Sequence, residues 1–497
     1  MADESKQKNY RAVFKATSIF GGAQVFLILI SILRAKVIAV LLGAVGFGVY
    51  NLFNSTILLA SGLSNLGLPF SAVRDISYAH SKGDEDQIAK TILSFRRLVW
   101  LTGIAGALIM AIFCAPISNW TFHNYDKSFE FALAGFVVFL SAISSGQLTL
   151  LRGVRRIADC AKATVFSGLC GLLASLPIYW IWGIEGIVPS LIIGAAATLA
   201  ISYLYSKKVA VKKVEASWKE SFFIGAEMVK IGILVTLAGI VTQFASWLIY
   251  IFVSRVGGLE EVGLYAAGWA MTNQYTNIVF SAMGADYLPR IAAIKDDNEK
   301  VSEAANQQSE IALLIIGPAM VLFLSMLPLA IYVLFSAKFL SIIKFVQWML
   351  LGMAFKTVSW ALGFLVLGKG DSKTFIYTEV GIKLISIPSY LLGYYYLGLE
   401  GIGIAFCIVY ISYLALMSAV CMKTYSFKYS KEHVKIFLAT ILATAAAFVP
   451  LYIWGYPVAY ITGFAVFAMS LIYSLIELHK RLDLKEIVLK FKRKIYG

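Results

Sequence analysis

Charge is what this sequence has least of. Only 14% of its 497 residues are Asp, Glu, Lys or Arg, while 59% are hydrophobic, and the mean hydropathy is +0.78. A soluble chain carries nearer a quarter charged residues, so a water-soluble domain is excluded. The apolar runs are of helical rather than barrel-strand length. Histidine is scarce: His80, His123, His433 and His479 sit in loops or at span ends, and no HExxH occurs. Metal chemistry has no support, and no metal or other cofactor is expected. The five cysteines form no CxxC and read as small core residues rather than disulfides. GxxxxGK[ST] is absent, and clusters such as GAVGFG and RGVRR are not nucleotide loops, so ATP hydrolysis by a P-loop is excluded. The first eleven residues, MADESKQKNYR, are polar, and no small-residue cleavage pattern follows the next apolar run. The first span is therefore expected to stay as a membrane helix.

What is present is a series of apolar runs. Spans are expected at about 17–42, 47–69, 98–118, 131–151, 161–182, 184–205, 228–253, 262–285, 311–335, 345–367, 374–397, 401–422, 434–454 and 458–478. Of the 43 Lys and Arg, 34 fall in alternate loops and the two ends: the N-terminus, 70–97, RGVRRIADCAK, KKVAVKKVEASWK, 290–310, GKGDSK, 423–435 and the tail. Only Lys127, Arg255, Lys338 and Lys344 fall on the other side. Such asymmetry places the basic side and both termini in the cytoplasm. The net charge of +15 then reads as this bias plus contact with anionic membrane lipids, not as nucleic-acid binding. The tail HKRLDLKEIVLKFKRKIYG is expected to form a basic amphipathic helix on the inner surface.

Landmarks recur at one constant offset, without gaps: Gly48-Val49-Tyr50 with Gly263-Leu264-Tyr265, Gly153 with Gly368, and Ile184-Glu185-Gly186-Ile187 with Leu399-Glu400-Gly401-Ile402. The expected fold is an all-α polytopic membrane protein of about 14 transmembrane helices. It divides into a six-helix bundle over 1–215, a second over 216–430, an extra helix pair over 431–478 and the basic tail over 479–497. Six spans per half is even, so the repeats are parallel, and in such proteins a binding site is expected between the halves near mid-membrane.

Five basic side chains lie inside spans: Arg34, Lys36, Lys230, Lys356 and Lys383. The acid at comparable depth is Glu379. Charge in a bilayer core is expensive and usually faces a wet cavity, so the bias points to an anionic cargo. Arg34 offers a planar donor fork suited to phosphate oxygens; a pair with an acid elsewhere, or snorkelling outward, is the alternative. Lys36 is two residues on and points to nearly the opposite side, which favours snorkelling. Lys230 is near a span end and snorkels by default. Lys356 is near mid-span with no acid within a turn or two. Lys383 follows Glu379 by four residues, so an intrahelical ion pair stands beside a cargo or coupling role. Gln243, Asn273, Gln274 and Asn277 are candidate contacts to sugar hydroxyls or polar glue between helices.

Three stretches, RAKVIAVLLGAVGFGVYNLF, EVGLYAAGWAMTNQY with DYLPRIAAI, and FKTVSWALGFLVLGKGDSKTFIYTEV, resemble segments of Wzx-type flippases. These belong to the multidrug/oligosaccharidyl-lipid/polysaccharide superfamily, and the likeness covers most of residues 11–430. The resemblance implies transport, not catalysis. The cargo would be an undecaprenyl-pyrophosphate-linked oligosaccharide, such as an O-antigen or related surface-polysaccharide unit of lipopolysaccharide. It would move to the outer leaflet of the bacterial inner membrane, with a polysaccharide polymerase complex as a further candidate partner. Arg34 sits where related flippases carry a functional first-helix arginine, and Lys356 where antigen translocases tend to carry a lysine. The alternatives are a multidrug exporter of the same superfamily, which would want intramembrane carboxylates, and a glycan polymerase or ligase. The latter would want a sizeable external loop, whereas the longest here is near 119–130.

Overall fold

The computed structural model describes residues 2–212, 214–455 and 458–481, with side chains described from Gly22 onward except at 234, 235, 274, 275, 278, 282, 285, 458 and 459. Among the described residues there are helices and no strand. In chain order they are α1 (Ala2–Leu41), α2 (Gly43–Asn65), α3 (Leu68–Lys82), α4 (Glu85–Ile112), α5 (Cys114–Phe122), α6 (Ser128–Gly153), α7 (Ile157–Trp182) and α8 (Ile187–Ser206). There follow α9 (Trp218–Ala293), α10 (Asn298–Ser325), α11 (Leu327–Leu334), α12 (Ile343–Gly368), α13 (Ser372–Tyr425), α14 (Lys431–Ile453) and α15 (Val458–Arg481). Eleven helices among the described residues are long and apolar enough to cross a membrane. Two of these, Ile157–Ser206 and Ser372–Tyr425, run to 50 and 54 residues and contain a break. α9, at 76 residues, would span roughly 110 Å if straight, several times a hydrocarbon core of about 30 Å. It too is broken, at Gly258.

Several boundaries differ from expectation. The 70–97 and 290–310 segments are not open loops: α3, the start of α4 and the start of α10 occupy most of them. The reason is capping. Asp84 accepts from the Gln87 amide and Asp297 from those of Glu299 and Lys300, so each helix starts before its apolar stretch does. The early turns then bury one face, with Leu68, Ala72, Ile76, Ile92, Phe95 and Met228 forming a cluster. The expected span 311–335 is also two helices, α10 and α11, parted at Met326. The amphipathic tail falls largely on 482–497, outside the described residues; 479–481 close α15.

Helix breaks recur at the offset of the sequence landmarks. Gly43, Arg155 and Gly183 have φ of 70°, 59° and 56°; their counterparts at that offset, Gly258, Gly370 and Gly398, have 80°, 80° and 60°. The hydrogen bonds around the second pair match as well. Val154, Arg155 and Arg156 donate to the carbonyls of Leu150, Arg152 and Leu151; Lys369, Gly370 and Asp371 donate to those of Leu365, Leu367 and Val366. Packing repeats too. A methyl group added at Gly153 would strike Ile76, and one at Gly368 would strike Ile291. These coincidences support the proposal of two duplicated bundles over 1–215 and 216–430. Grouping by packing divides the chain elsewhere: one compact unit is Met1–Ala266 with Leu334–Ser336, the other Ala267–Val333 with Ala337–Gly497. Packing units and repeats are therefore not coextensive. Gly48 and Gly263 lie in the same unit, backbone to backbone, where a side chain on either would overlap the Leu259 or Ala44 carbonyl.

A left-handed residue with a Cβ is strained by about 1 kcal/mol or more, and Arg155 occupies the position filled by Gly370 in the later turn. Arg155→Gly is expected to raise the melting temperature of the purified protein, and Gly370→Ala to lower it. Asp371 caps α13, and the Thr374 amide (3.0 Å), then the Thr374 hydroxyl (2.7 Å), hold its carboxyl below the usual range. The cap is at full strength above the unfolded value of about 3.9 and is lost as pH falls through the lower folded value. Hydrogen exchange in the first turn of α13 should accelerate over that window in the native protein and show no such window in Asp371→Asn.

Candidate functional site

Two polar sites lie inside apolar helices, one in each packing unit. In the first unit, Arg34 projects from α1 into a cavity of about 320 Å³. Its wall is one face of α7 (Thr164, Ser167, Gly168, Gly171, Ser175, Tyr179) and one face of α8 (Ser190, Leu191, Gly194, Ala195, Thr198). Both sets recur at three- and four-residue steps, which is why each helix can turn them to one side. Glycine makes room for the guanidinium: a Cβ at Gly171 would lie 3.2 Å from Arg34 Nη2.

Five hydroxyl hydrogens of this wall are already committed. Thr164, Ser167, Ser175 and Thr198 donate to the carbonyls of Cys160, Ala163, Leu172 and Gly194. Ser190 donates to Tyr179 Oη and the Ile187 carbonyl. The oxygens of these five hydroxyls are left to accept, while Arg34 donates. Among the described residues no carboxylate pairs with Arg34, and none lines the cavity. A guanidinium held this way favours an anionic group, and the surrounding oxygens favour hydroxyls.

In the second unit, Lys356 of α12 donates to Asn273 Oδ1. Its ammonium lies 5.8 Å from the Phe406 ring and 5.4 Å from the Tyr410 ring, so the cation is held against aromatic rings rather than an acid. Lys383 lies within electrostatic reach of Lys356. Glu379 does not form the expected ion pair with Lys383: no such contact within 4.0 Å occurs. Its carboxylate instead accepts from Tyr413 Oη at 2.6 Å.

The offset of the landmarks also relates the two sites. Ser141, Thr164, Gly168, Leu191, Ala195 and Thr198 of the cavity correspond to Lys356, Glu379, Lys383, Phe406, Tyr410 and Tyr413. The first site is built of small residues and leaves a hollow that Arg34 enters. The second fills the equivalent positions with long charged and aromatic side chains.

The remaining sequence candidates separate from these sites. Lys36 is half-buried and does not line the Arg34 cavity, and Lys230 is exposed on α9. Gln243 turns its Oε1, buried without a hydrogen-bond partner, against Gly62. Asn273 serves Lys356 and also donates to the Trp269 carbonyl. Asn277 is exposed, and the side chain of Gln274 lies outside the described set. Sequence reasoning missed the hydroxyl faces of α7 and α8, although the spacing of 164, 167, 168, 171 and 175 is a helical stripe. It also missed Tyr410 and Tyr413, which follow Phe406 at helical steps of four and three.

Comparison with known proteins gives the family and the fold. Residues 37–344 match the family described as polysaccharide biosynthesis protein. Lipid III flippase of Escherichia coli (strain K12) is 21% identical over 355 residues, covering 70% of this chain and 83% of that protein. Among solved structures, lipid II flippase MurJ in an inward closed conformation aligns with a TM-score of 0.69 at 12% identity, covering 93% of this chain and 99% of that one. An inward-facing multidrug resistance MATE family transporter of the MOP superfamily also aligns with a TM-score of 0.69, at 14% identity, covering 80% and 94%. These structures share the fold. With the family match spanning more than half of its length, the chain belongs to the polysaccharide biosynthesis protein family.

Proposed function

We propose that this protein is a flippase that carries a polyprenyl-pyrophosphate-linked oligosaccharide across the bacterial inner membrane, from the cytoplasmic to the outer leaflet. The observation that carries the reading is the presence of Arg34 and Lys356 inside membrane-length helices with, among the described residues, no carboxylate paired to either. A buried cation without a counter-ion is unfavourable by itself. A pyrophosphate supplies the missing charge, and Arg34 presents the bidentate donor geometry that phosphate oxygens accept. The hydroxyl oxygens beside Arg34 are placed to accept from sugar hydroxyls. Similarity to a lipid III flippase supports the same class of cargo.

In this mechanism the head group enters from the cytoplasmic side, which the Lys/Arg bias of the loops places with both termini. Arg34 and Lys356, aided by Lys383, neutralise the pyrophosphate while the polyprenyl chain stays in lipid. Alternating exposure of these cations to the two faces then moves the head group across. An interior-negative potential assists, by about 2.3 kcal/mol per negative charge per 100 mV. The cargo fits an O-antigen or related surface-polysaccharide unit. A multidrug exporter shares the fold, but a carrier of cations wants carboxylates facing its cavity, and here Arg34 stands in that place.

Proteoliposomes containing a fluorescent polyprenyl-pyrophosphate oligosaccharide test the reading. Outward movement is expected to fall about tenfold or more in Arg34→Ala and in Lys356→Ala, the size of one lost charge-assisted contact. Arg34→Lys should retain part of it, because charge remains without the fork. Full transport by both alanine variants would overturn the site, and transport of a cationic dye instead of the lipid would favour the exporter.

A further inference from the structure

The second polar site carries its own acid, and the structure shows that acid turned away from the nearest lysine. Glu379 and Lys383 stand four residues apart on α13, the spacing at which a carboxylate and an ammonium meet by side-chain rotation alone. They do not meet: the Tyr413 hydroxyl, buried on the following arm of the same helix, donates to Glu379 Oε1 at 2.6 Å. Lys356 faces the same region from α12 but takes Asn273 of α9 as its partner. Lys383 therefore sits within electrostatic reach of both Glu379 and Lys356, and forms an ion pair with neither that acid nor, among the described residues, another. Leaving the half-buried Lys383 unpaired beside an available acid is costly unless something is gained by it. The positions of Glu379 and Tyr413 correspond, through the landmark offset, to Thr164 and Thr198 of the first site, which carry no charge. The acid and its tyrosine are thus particular to the second site.

We infer that Tyr413 is a positioning residue that withdraws Glu379 from Lys383, and that Glu379 is an internal counter-ion exchanged with the cargo. With Tyr413 holding Glu379, Lys356 and Lys383 are open to a pyrophosphate. When the cargo has left, Glu379 releases Tyr413 and closes onto Lys383, so that the empty carrier does not return with two uncompensated charges. The exchange needs only rotation of the Glu379 side chain, from Tyr413 on the following arm to Lys383 one turn along its own arm. It rests on the proposed function, because it assumes a pyrophosphate-bearing cargo.

The test uses the full-length protein in nanodiscs and radiolabelled polyprenyl pyrophosphate, without sugars, as the probe. Wild type is expected to bind it. Tyr413→Phe, which frees Glu379 to pair with Lys383, should bind about tenfold more weakly with an unchanged melting profile. Adding Glu379→Gln to Tyr413→Phe should restore binding, an outcome that a merely structural role for Tyr413 does not produce. Equal binding by wild type and Tyr413→Phe, or no recovery in the double variant, would overturn the exchange while leaving the proposed function standing. No binding by wild type would overturn the proposed function at this site, and the exchange with it.

Discussion

A cation inside an apolar bundle must be compensated, and most of what is specific about this protein follows from how that is done. The chain spends little charge: 14% of residues carry it, and most of those lie outside the apolar runs. Against this background, Arg34 and Lys356 are expensive to keep. Each is housed differently. Arg34 is given space, with Gly168, Gly171 and Gly194 in the wall and a ring of hydroxyl oxygens around a hollow. Lys356 is given partners, namely an amide oxygen and two aromatic faces. Among the described residues neither is paired with an acid, and the proposed anionic cargo rests on that.

The proposed duplication accounts for there being two such sites. Duplicated bundles inherit equivalent positions, and the breaks at Gly43 and Gly258, and at Gly183 and Gly398, show how closely the backbones correspond. What differs is the filling. Where the first copy has the small residues Ser141, Thr164 and Gly168, the second has Lys356, Glu379 and Lys383. A hollow in one and a packed cluster of charged and aromatic side chains in the other are two fillings of corresponding positions.

Within the second unit, the last two helices are held to α10 through a different kind of contact. Arg481 at the end of α15 reaches Glu310 of α10 at 2.9 Å and also pairs with Glu477. Ser430 caps α14 and donates to the same Glu310 carboxylate at 2.9 Å. With both acids buried, each oxygen needs a donor, and the network supplies them. Beside it, Leu313, Leu314, Val358 and Ile436 form an apolar cluster that joins α10, α12 and α14.

Composition alone determined that this chain lives in a bilayer, because no other solvent accepts so much apolar surface. Landmark glycines pointed to the proposed repeat, since a position where a neighbour leaves no room for a side chain keeps its glycine in each copy. The sequence also singled out Arg34 and Lys356, because charge is conspicuous against an apolar run. It did not show where helices start: Asp84 and Asp297 extend them beyond the apolar stretches through local hydrogen bonds that hydropathy does not register. Nor did it show which partner a side chain takes. Four-residue spacing made Glu379 and Lys383 a pair on paper, yet Tyr413, distant in sequence, claims the carboxylate. Periodicity describes one helix at a time, whereas the choice between two available donors depends on which helix packs against it, and only the tertiary structure decides that.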